Sequence, residues 1–341
     1  MKDKLEYEFQ SRSCHALPKP KDLANPKLAS WLVLASMVLG LGGVTSVLAG
    51  NTHQIKMVAE EVDPTGNLGL YAYRMMQHQV IDGNGNTVDL SGNYSAVATI
   101  PGPTVIMSEG DVAEIELMHQ FDPDNPKQEH VSLHVHGVHY DKESDGTLKY
   151  INLYKDESAT PVLSYNYRWV AAPGTAGTWA YHDHNMNSHN GAEDRGLFGA
   201  LIVNPASGFL PQDINGTGSG NTPLSRIQKE FVLYIGDDAF WGMEINNANG
   251  AQTALGVNPN LNAQRNSDIR IHLIALGTNF HQFELPSYTW VDPGTRRRIS
   301  AKAIGPLEKH VFAISASHSA SYLDTAFSSK LLGMKGQLIV D

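Results

Sequence analysis

Short apolar runs, separated by clusters of Gly, Pro, Asn and Asp, make up most of the chain. After residue 50, no apolar stripe with helical spacing extends beyond about ten residues, whereas runs rich in β-branched and aromatic residues recur. Such spacing is typical of β-sandwiches and β-barrels, so we expect an all-β body. The predicted strands are 54–58, 105–107, 113–117, 131–138, 164–170, 178–182, 199–203, 231–235, 269–276, 310–315 and 336–340.

Residues 28–50 break this pattern, because they contain no charged side chain. A run of this length can cross a hydrocarbon layer of about 30 Å as a helix. Lys19, Lys21 and Lys27 precede the run, which places residues 1–27 in the cytoplasm and the body outside. Residues 47–49, Val-Leu-Ala, are similar to a signal-peptide cleavage site and keep a cleaved signal open as the alternative to a transmembrane anchor. We therefore expect a membrane-anchored or secreted body outside the cytoplasmic membrane.

A polar stretch after residue 203, rich in Gly, Pro, Asn and Ser, predicts a linker between two domains. We place the first domain at 51–205, the linker at 206–230 and the second domain at 231–341. Two segments end alike, GLFGALIV at 196–203 and GMKGQLIV at 333–340. Duplication of one β-domain accounts for this likeness, and chance similarity of two closing strands is the alternative.

The net charge and the cysteine content exclude several classes of function and of metal site. The chain has 25 Lys and Arg against 35 Asp and Glu, a net charge of -10, which opposes binding to nucleic acid. Its one cysteine, Cys14, precedes the apolar run. The body therefore has neither an internal disulfide nor a Cys-rich zinc module, and it cannot form a thiolate site.

Histidines are concentrated in the first domain. Two His-x-His pairs occur on predicted strands, and residues two apart on a strand point to the same face. If the strands are neighbours, four imidazoles converge, a donor set that suits copper(II) or zinc(II). Solvated or hydrogen-bonded structural histidines are the alternative. The predicted metal ligands are His134, His136, His182 and His184, whereas His130, His139 and His189 are expected at the surface or behind the ligands.

Five motifs follow one another along the first domain: IPGPTV at 100–105, EGD at 109–111, HVHG at 134–137, PGTAGTWAYHDH at 173–184 and GLFGALIVNP at 196–205. In sequence and order they resemble the first cupredoxin domain of the multicopper oxidases. The resemblance implies two cupredoxin-like Greek-key β-sandwiches and half of a trinuclear copper cluster. By this resemblance, His134 corresponds to a type 2 copper ligand, and His136, His182 and His184 to type 3 ligands.

The second domain departs from the family pattern. The family's His-x-x-His-x-His run corresponds to NFHQFELPSYTW, where His281 takes a type 1 position while Glu284 and Pro286 take cluster positions. The closing His-Cys-His segment falls on Leu323, Asp324 and Thr325, and the later type 1 histidine on Ser329. Met334 is expected to pack rather than bind metal. Without a thiolate, the resemblance implies no type 1 copper.

These residues lead to two main functional hypotheses. In the first, the chain holds copper as an accessory subunit and is inactive alone. In the second, it is an active oxidase or reductase whose missing ligands come from a partner, since two-domain relatives build the cluster between subunits. A homotrimer of this chain could not complete the cluster, but a hetero-oligomer with another cupredoxin chain could. A zinc hydrolase is a weaker third hypothesis because Asp183 should point away from the histidines and no general base is evident.

Overall fold

The computed structural model of the protein describes six stretches of the chain, which begin at Gly50. The predicted cytoplasmic segment and nearly all of the predicted membrane segment lie outside them. Among the described residues, no helix is both long and apolar enough to cross a membrane. The described stretches are 50–62, 69–121, 130–152, 162–184, 195–214 and 221–341.

The first sandwich consists of two main sheets that face each other. One sheet has the strand order β3-β2-β1-β5-β9 and the other has the order β4-β11-β10-β7, while β6 and β8 form a separate pair. The strands are β1 Thr52–Glu61, β2 Tyr71–Ile81, β3 Thr87–Asp89, β4 Thr104–Ser108, β5 Val112–His119, β6 His130–Val131, β7 His134–Val135, β8 Ile151–Asn152, β9 Ser164–Val170, β10 Gly177–His182 and β11 Phe198–Asn204.

The second sandwich repeats this arrangement. Its sheets have the orders β16-β15-β14-β18-β23 and β17-β25-β24-β19-β22, with small pairs β12-β13 and β20-β21 beside them. One short helix, α1 (Phe327–Leu332), follows β24. The strands are β12 Phe209–Leu210, β13 Thr222–Pro223, β14 Ile227–Ile235, β15 Phe240–Asn246, β16 Gln252–Val257, β17 Asn260–Ala263, β18 Asp268–Ala275, β19 His281–Glu284, β20 Trp290–Val291, β21 Arg298–Ile299, β22 Ala301–Ile304, β23 Lys309–Ser315, β24 Ala320–Asp324 and β25 Lys335–Val340.

The two similar closing segments occupy equivalent places. Strand β11 lies between β10 and β4, and β25 lies between β24 and β17. In each segment the second glycine lies opposite a tyrosine of the neighbouring strand, Gly199 opposite Tyr181 and Gly336 opposite Tyr322. A Cβ on either glycine would come within 2.3 Å of that tyrosine ring or hydroxyl. In both sandwiches, therefore, only glycine fits beside the neighbouring tyrosine. This shared requirement supports the predicted duplication.

The sandwiches pack against each other through strands that are buried on both faces. On β11, Leu201 and Val203 enter the first core, whereas Phe198, Ala200 and Ile202 face the second sandwich. Period-2 alternation explains how one strand serves two cores, and why its sequence is an uninterrupted apolar run. Beside this contact, Thr178 of β10 makes a 2.5 Å hydrogen bond with His272 of β18.

The structure confirms the all-β cupredoxin architecture but differs from the predicted strands in detail. The predicted strand 131–138 is broken, because the Ser132 N–H donates to the Asp183 carboxylate instead of to a neighbouring strand. Strand β14 begins at Ile227, inside the predicted linker. The hairpin strands β2 and β15 were not predicted, because polar or charged residues interrupt their apolar alternation.

Candidate metal centre

Two neighbouring strands of the first sandwich bring three histidines together. Strands β7 and β10 are antiparallel, with His134 directly opposite His182, and the His136 N–H donates to the Ala180 carbonyl at 3.0 Å. Because alternate residues share a face, His134 and His136 point to the same side as His182. One ring nitrogen from each of the three lies within 4.8 Å of the others. The geometry is that of three converging monodentate nitrogen donors.

Hydrogen bonds on the far side of two rings orient them. Nδ1 of His134 donates to the Asp145 carbonyl at 2.5 Å, and Nδ1 of His182 donates to the Asp183 carbonyl at 2.8 Å. A proton on Nδ1 leaves Nε2 with its lone pair, the state in which imidazole binds a metal. The Nε2 atoms of His136 and His182 lie 3.0 Å apart. Because Nδ1 of His182 carries the proton, its Nε2 accepts this hydrogen bond from His136 Nε2, and the three rings converge on one side of the sheet.

Burial keeps two of these imidazoles, those of His136 and His182, neutral. Desolvation is the main cause that lowers the pKa of His136 to about 4, and the neighbouring His134 and His184 lower it further. Desolvation also lowers the pKa of His182 to about 3, with His136 and His134 adding to the effect. Both rings are thus available as ligands without loss of a proton near neutral pH.

The fourth predicted ligand is adjacent to this group but not part of it. The ring of His184 lies 5.0 Å from that of His134 and 6.0 Å from that of His182, centre to centre. Its backbone N–H donates to the Ser132 hydroxyl at 2.9 Å. Between the two histidines, the Asp183 side chain is buried and accepts the Ser132 N–H. Asp183 therefore faces away from the imidazoles, as the alternation predicted.

The other histidines of this region take different positions. His139 is exposed, and its backbone pairs with Val170. The ring of His130 contacts Tyr150 at 4.9 Å between centres. His189 lies outside the described residues. None of these rings belongs to the converging group among the residues that the structure describes.

Sequence reasoning missed the loop that holds His134. Gly146 has φ +79°, and a Cβ there would lie 2.6 Å from the Leu133 carbonyl oxygen, so the loop packs directly on the strand. This contact brings the Asp145 carbonyl to Nδ1 of His134. The Asp-Gly pair at 145–146 is a turn signal that could have indicated a loop, but not what it touches.

The second sandwich presents different side chains at the equivalent positions. Glu284 lies opposite Leu323, as His134 lies opposite His182, so the register makes Glu284 equivalent to His134 and Leu323 equivalent to His182. Thr325 donates its hydroxyl to Glu284 Oε1 at 2.8 Å. One carboxylate therefore stands where the first sandwich has two facing imidazoles.

The residues aligned with type 1 copper ligands also lie together. Nδ1 of His281 lies 2.6 Å from Asp324 Oδ2, with both side chains fully buried. The Asp324 N–H donates to the Met334 carbonyl at 3.1 Å, and the buried Ser329 follows on α1. Burial raises the pKa of Asp324, but hydrogen bonds from His281 and backbone N–H groups outweigh this and lower it. A carboxylate–imidazole pair thus occupies the position of a thiolate ligand.

The donor chemistry of the converging group fits copper. Three imidazoles are borderline donors, which copper(II) and zinc(II) both accept. The backbone carbonyls of Asp145 and Asp183 supply the outer hydrogen bonds that metal-binding histidines usually make. His134, His136 and His182 can therefore hold the ion, with His184 beside them.

Comparisons with known proteins agree with this geometry. Residues 93–208 match the family model described as multicopper oxidase. The chain is 26% identical over 245 residues to a probable nitrite reductase-hydroxylamine oxidoreductase fusion protein of Kuenenia stuttgartiensis, covering 68% of this chain. It is 34% identical over 130 residues, 33% of this chain, to ferroxidase HEPHL1 of Mus musculus. The chain spans 26% of the first relative and 10% of the second.

Solved structures show the same fold. Copper nitrite reductase from Nitrosomonas europaea superposes with a TM-score of 0.53 at 16% identity, covering 85% of this chain and 94% of that one. A multicopper oxidase crystal structure gives a TM-score of 0.54 at 19% identity, covering 85% and 89%. The resemblance expected from the sequence is confirmed. Residues 93–208 are therefore similar to the multicopper oxidase family, and the chain has the cupredoxin fold of these solved structures.

Proposed function

We propose that the chain is an extracytoplasmic copper-binding protein that lacks a type 1 copper and a complete trinuclear cluster. It acts as an accessory or copper-holding subunit. One observation carries this proposal: His134 and His182 face each other on the first sandwich, whereas the equivalent pair on the second is Glu284 and Leu323. Ligands for copper are therefore present on one side only.

Each residue has a definite part in holding the ion. His134, His136 and His182 supply nitrogen donors from one face of the β7–β10 pair. The carbonyls of Asp145 and Asp183 hold two of the rings in the tautomer that binds metal. Bound copper supplies one-electron redox chemistry, and a thiolate ligand is what gives such sites rapid electron transfer.

The absence of a thiolate supports an inactive isolated chain. Cys14 is the only cysteine and precedes the body, and Asp324 takes the aligned position. Its carboxylate is already hydrogen-bonded to the buried His281. An oxygen donor of this kind does not reproduce the short copper–sulfur bond of a type 1 centre.

The alternative is an active oxidase or reductase assembled with a partner chain. Two features favour it: the three imidazoles are only partly buried, and a similar protein is described as a probable nitrite reductase-hydroxylamine oxidoreductase fusion. A second copy of this chain offers Glu284 and Thr325 at the equivalent face, so a homotrimer leaves the cluster incomplete. A hetero-oligomer with another cupredoxin chain would supply the missing donors.

Replacement of one ligand tests the copper site. His182→Ala should remove stoichiometric copper from the purified protein, as measured by elemental analysis, while circular dichroism stays unchanged. His139→Ala is the matched control, because His139 is an exposed histidine of the same region outside the group. Equal copper content in His182→Ala and the control would refute the assignment, and zinc in place of copper would refute the choice of metal.

Purification from the native membrane separates the two functional hypotheses. A copper-containing chain recovered alone, without turnover, supports the accessory role. A stoichiometric second chain with a cysteine-containing cupredoxin domain, together with oxygen or nitrite reduction by the complex, supports the assembled enzyme.

The proposed location rests on the uncharged run at 28–50 and the lysines before it. Protease added to intact cells should cleave the body after residue 50. Protection of the body in intact cells, with cleavage after lysis, would contradict the orientation.

A further inference from the structure

A cleft with a volume of about 560 Å³ lies between the two sandwiches, and its lining includes no member of the histidine group. Its walls come from the start of β10, the segment after β11, and strand β23 with the loop after β20. Most of the lining is apolar, and the side chains that define it are Ala176, Pro205, Phe209, Leu210, Pro211 and Pro293. A space of this size and character suits a small organic molecule.

The charged groups of the cleft are mostly paired. Arg270 lies 3.3 Å from Glu230, and Lys302 lies 3.3 Å from Asp292. His310 is neutral, because burial lowers its pKa to about 4, and its Nε2 accepts the indole N–H of Trp290. The positive charges of Arg270 and Lys302 are therefore balanced by Glu230 and Asp292.

Lys309 is the charged side chain of the cleft that lacks an ion pair among the described residues. Among the described residues, its ammonium group makes no ion pair with a carboxylate and lies over the ring of Trp179. Burial lowers its pKa to about 8, so it still carries its proton near neutral pH. A partly desolvated cation without a counter-ion is costly, and contact with an indole face compensates for it only in part. In a chain with net charge -10, carboxylates for such a pair are abundant elsewhere, yet none reaches Lys309 in the described structure.

We propose that this cleft binds a small organic anion with an aromatic or apolar body and a single negative charge, which pairs with Lys309. The apolar walls disfavour a bare inorganic anion, since Lys309 is the one cation without an ion pair among the described lining residues, and it cannot replace the hydration of such an ion by itself. A carboxylate or sulfonate on a hydrophobic body meets both demands: its body contacts Phe209 and Leu210, and its charge contacts the ammonium group. The lining contains none of the proposed copper ligands, while the charge of Lys309 also acts on His136 and lowers its pKa.

Titration calorimetry of the full-length protein with 2-naphthalenesulfonate tests the proposal, with 2-naphthalenemethanol as the neutral counterpart. The sulfonate should bind at least about tenfold more tightly than the alcohol, the ratio expected for one charge-assisted contact. Lys309→Met should weaken sulfonate binding by a similar factor, and Lys309→Arg should restore it. Lys335→Met is the matched control, because Lys335 is exposed on β25 and does not line the cleft.

A second variant tests the position of the ligand independently of Lys309. At Gly294, which lines the cleft, an added Cβ meets only Asp292 Oδ2, at 3.7 Å, so Gly294→Phe can be introduced without a backbone clash. It should fill the cleft and abolish binding. Equal affinity for the alcohol and the sulfonate, unchanged binding in Lys309→Met or in Gly294→Phe, or no binding of the sulfonate at millimolar concentration would each overturn the proposal.

Discussion

The buried carboxylate of Glu230 holds together a polar group at the contact between the sandwiches. It is 4% exposed, and its Oε2 accepts hydrogen bonds from His272 Nε2 at 2.6 Å and Arg270 Nη1 at 3.3 Å. Burial raises the pKa of Glu230, but the charge of Arg270 and the hydrogen bond from His272 outweigh it and lower the pKa to about 2. Glu230 is therefore ionised at neutral pH and balances the charge of Arg270.

Glu230→Gln keeps the shape of this side chain and removes its charge. At 3.3 Å and an effective dielectric constant of about 20, the attraction between Glu230 and Arg270 is about 5 kcal/mol. Loss of one partner from a buried pair usually costs about 3–5 kcal/mol, and we expect the free energy of unfolding to fall by this amount. The double variant Glu230→Leu with Arg270→Met leaves no buried charge unpaired, so it should recover most of the loss.

Guanidinium unfolding of the metal-free protein, followed by tryptophan fluorescence, measures these changes. Glu244→Gln is the control, because Glu244 pairs with Lys229 at 2.7 Å on a partly exposed surface and its loss should cost less than about 1 kcal/mol. A Glu230→Gln variant within about 1 kcal/mol of the unmodified protein would refute the reasoning. So would a double variant as unstable as Glu230→Gln.

Three further predictions concern the metal sites and acid stability. Asp324→Cys combined with Ser329→His should give an intense blue absorption on copper loading, because a thiolate and a second imidazole would join His281; a colourless copper-loaded variant would argue against the alignment. The unmodified isolated chain loaded with copper should consume no oxygen with one-electron donors, and uptake that disappears in His136→Ala would contradict this. Burial lowers the pKa of His78 from 6.5 to about 3, so the unfolded chain binds a proton that the folded chain excludes, and this contribution to stability is lost as pH falls from 6.5 towards 3. His78→Gln should make stability less dependent on pH over that range, as denaturation at several pH values will show.

Local patterns predicted the strands that have clear apolar runs, including β9 and β11. They failed for β2 and β15, where His78 or Glu244 interrupts the pattern and burial comes from neighbouring strands. Sequence reasoning also treated 131–138 as continuous, because it could not show that the Ser132 N–H would bond to a carboxylate 51 residues away. Local alternation therefore predicts on which face of a sheet a side chain lies, but not which group a backbone N–H will bond to.

The spacing of His134 and His136 is enough to place both side chains on one face, since side chains on a strand alternate with period two. The sequence also excludes a thiolate from the body, because the only cysteine is Cys14. By contrast, the packing of the strands is needed to bring His182 opposite His134, and to join His281 to Asp324 across 43 residues. Strand order and register depend on the burial of both cores at once. Because this burial involves residues that are far apart in the sequence, a local pattern does not predict it.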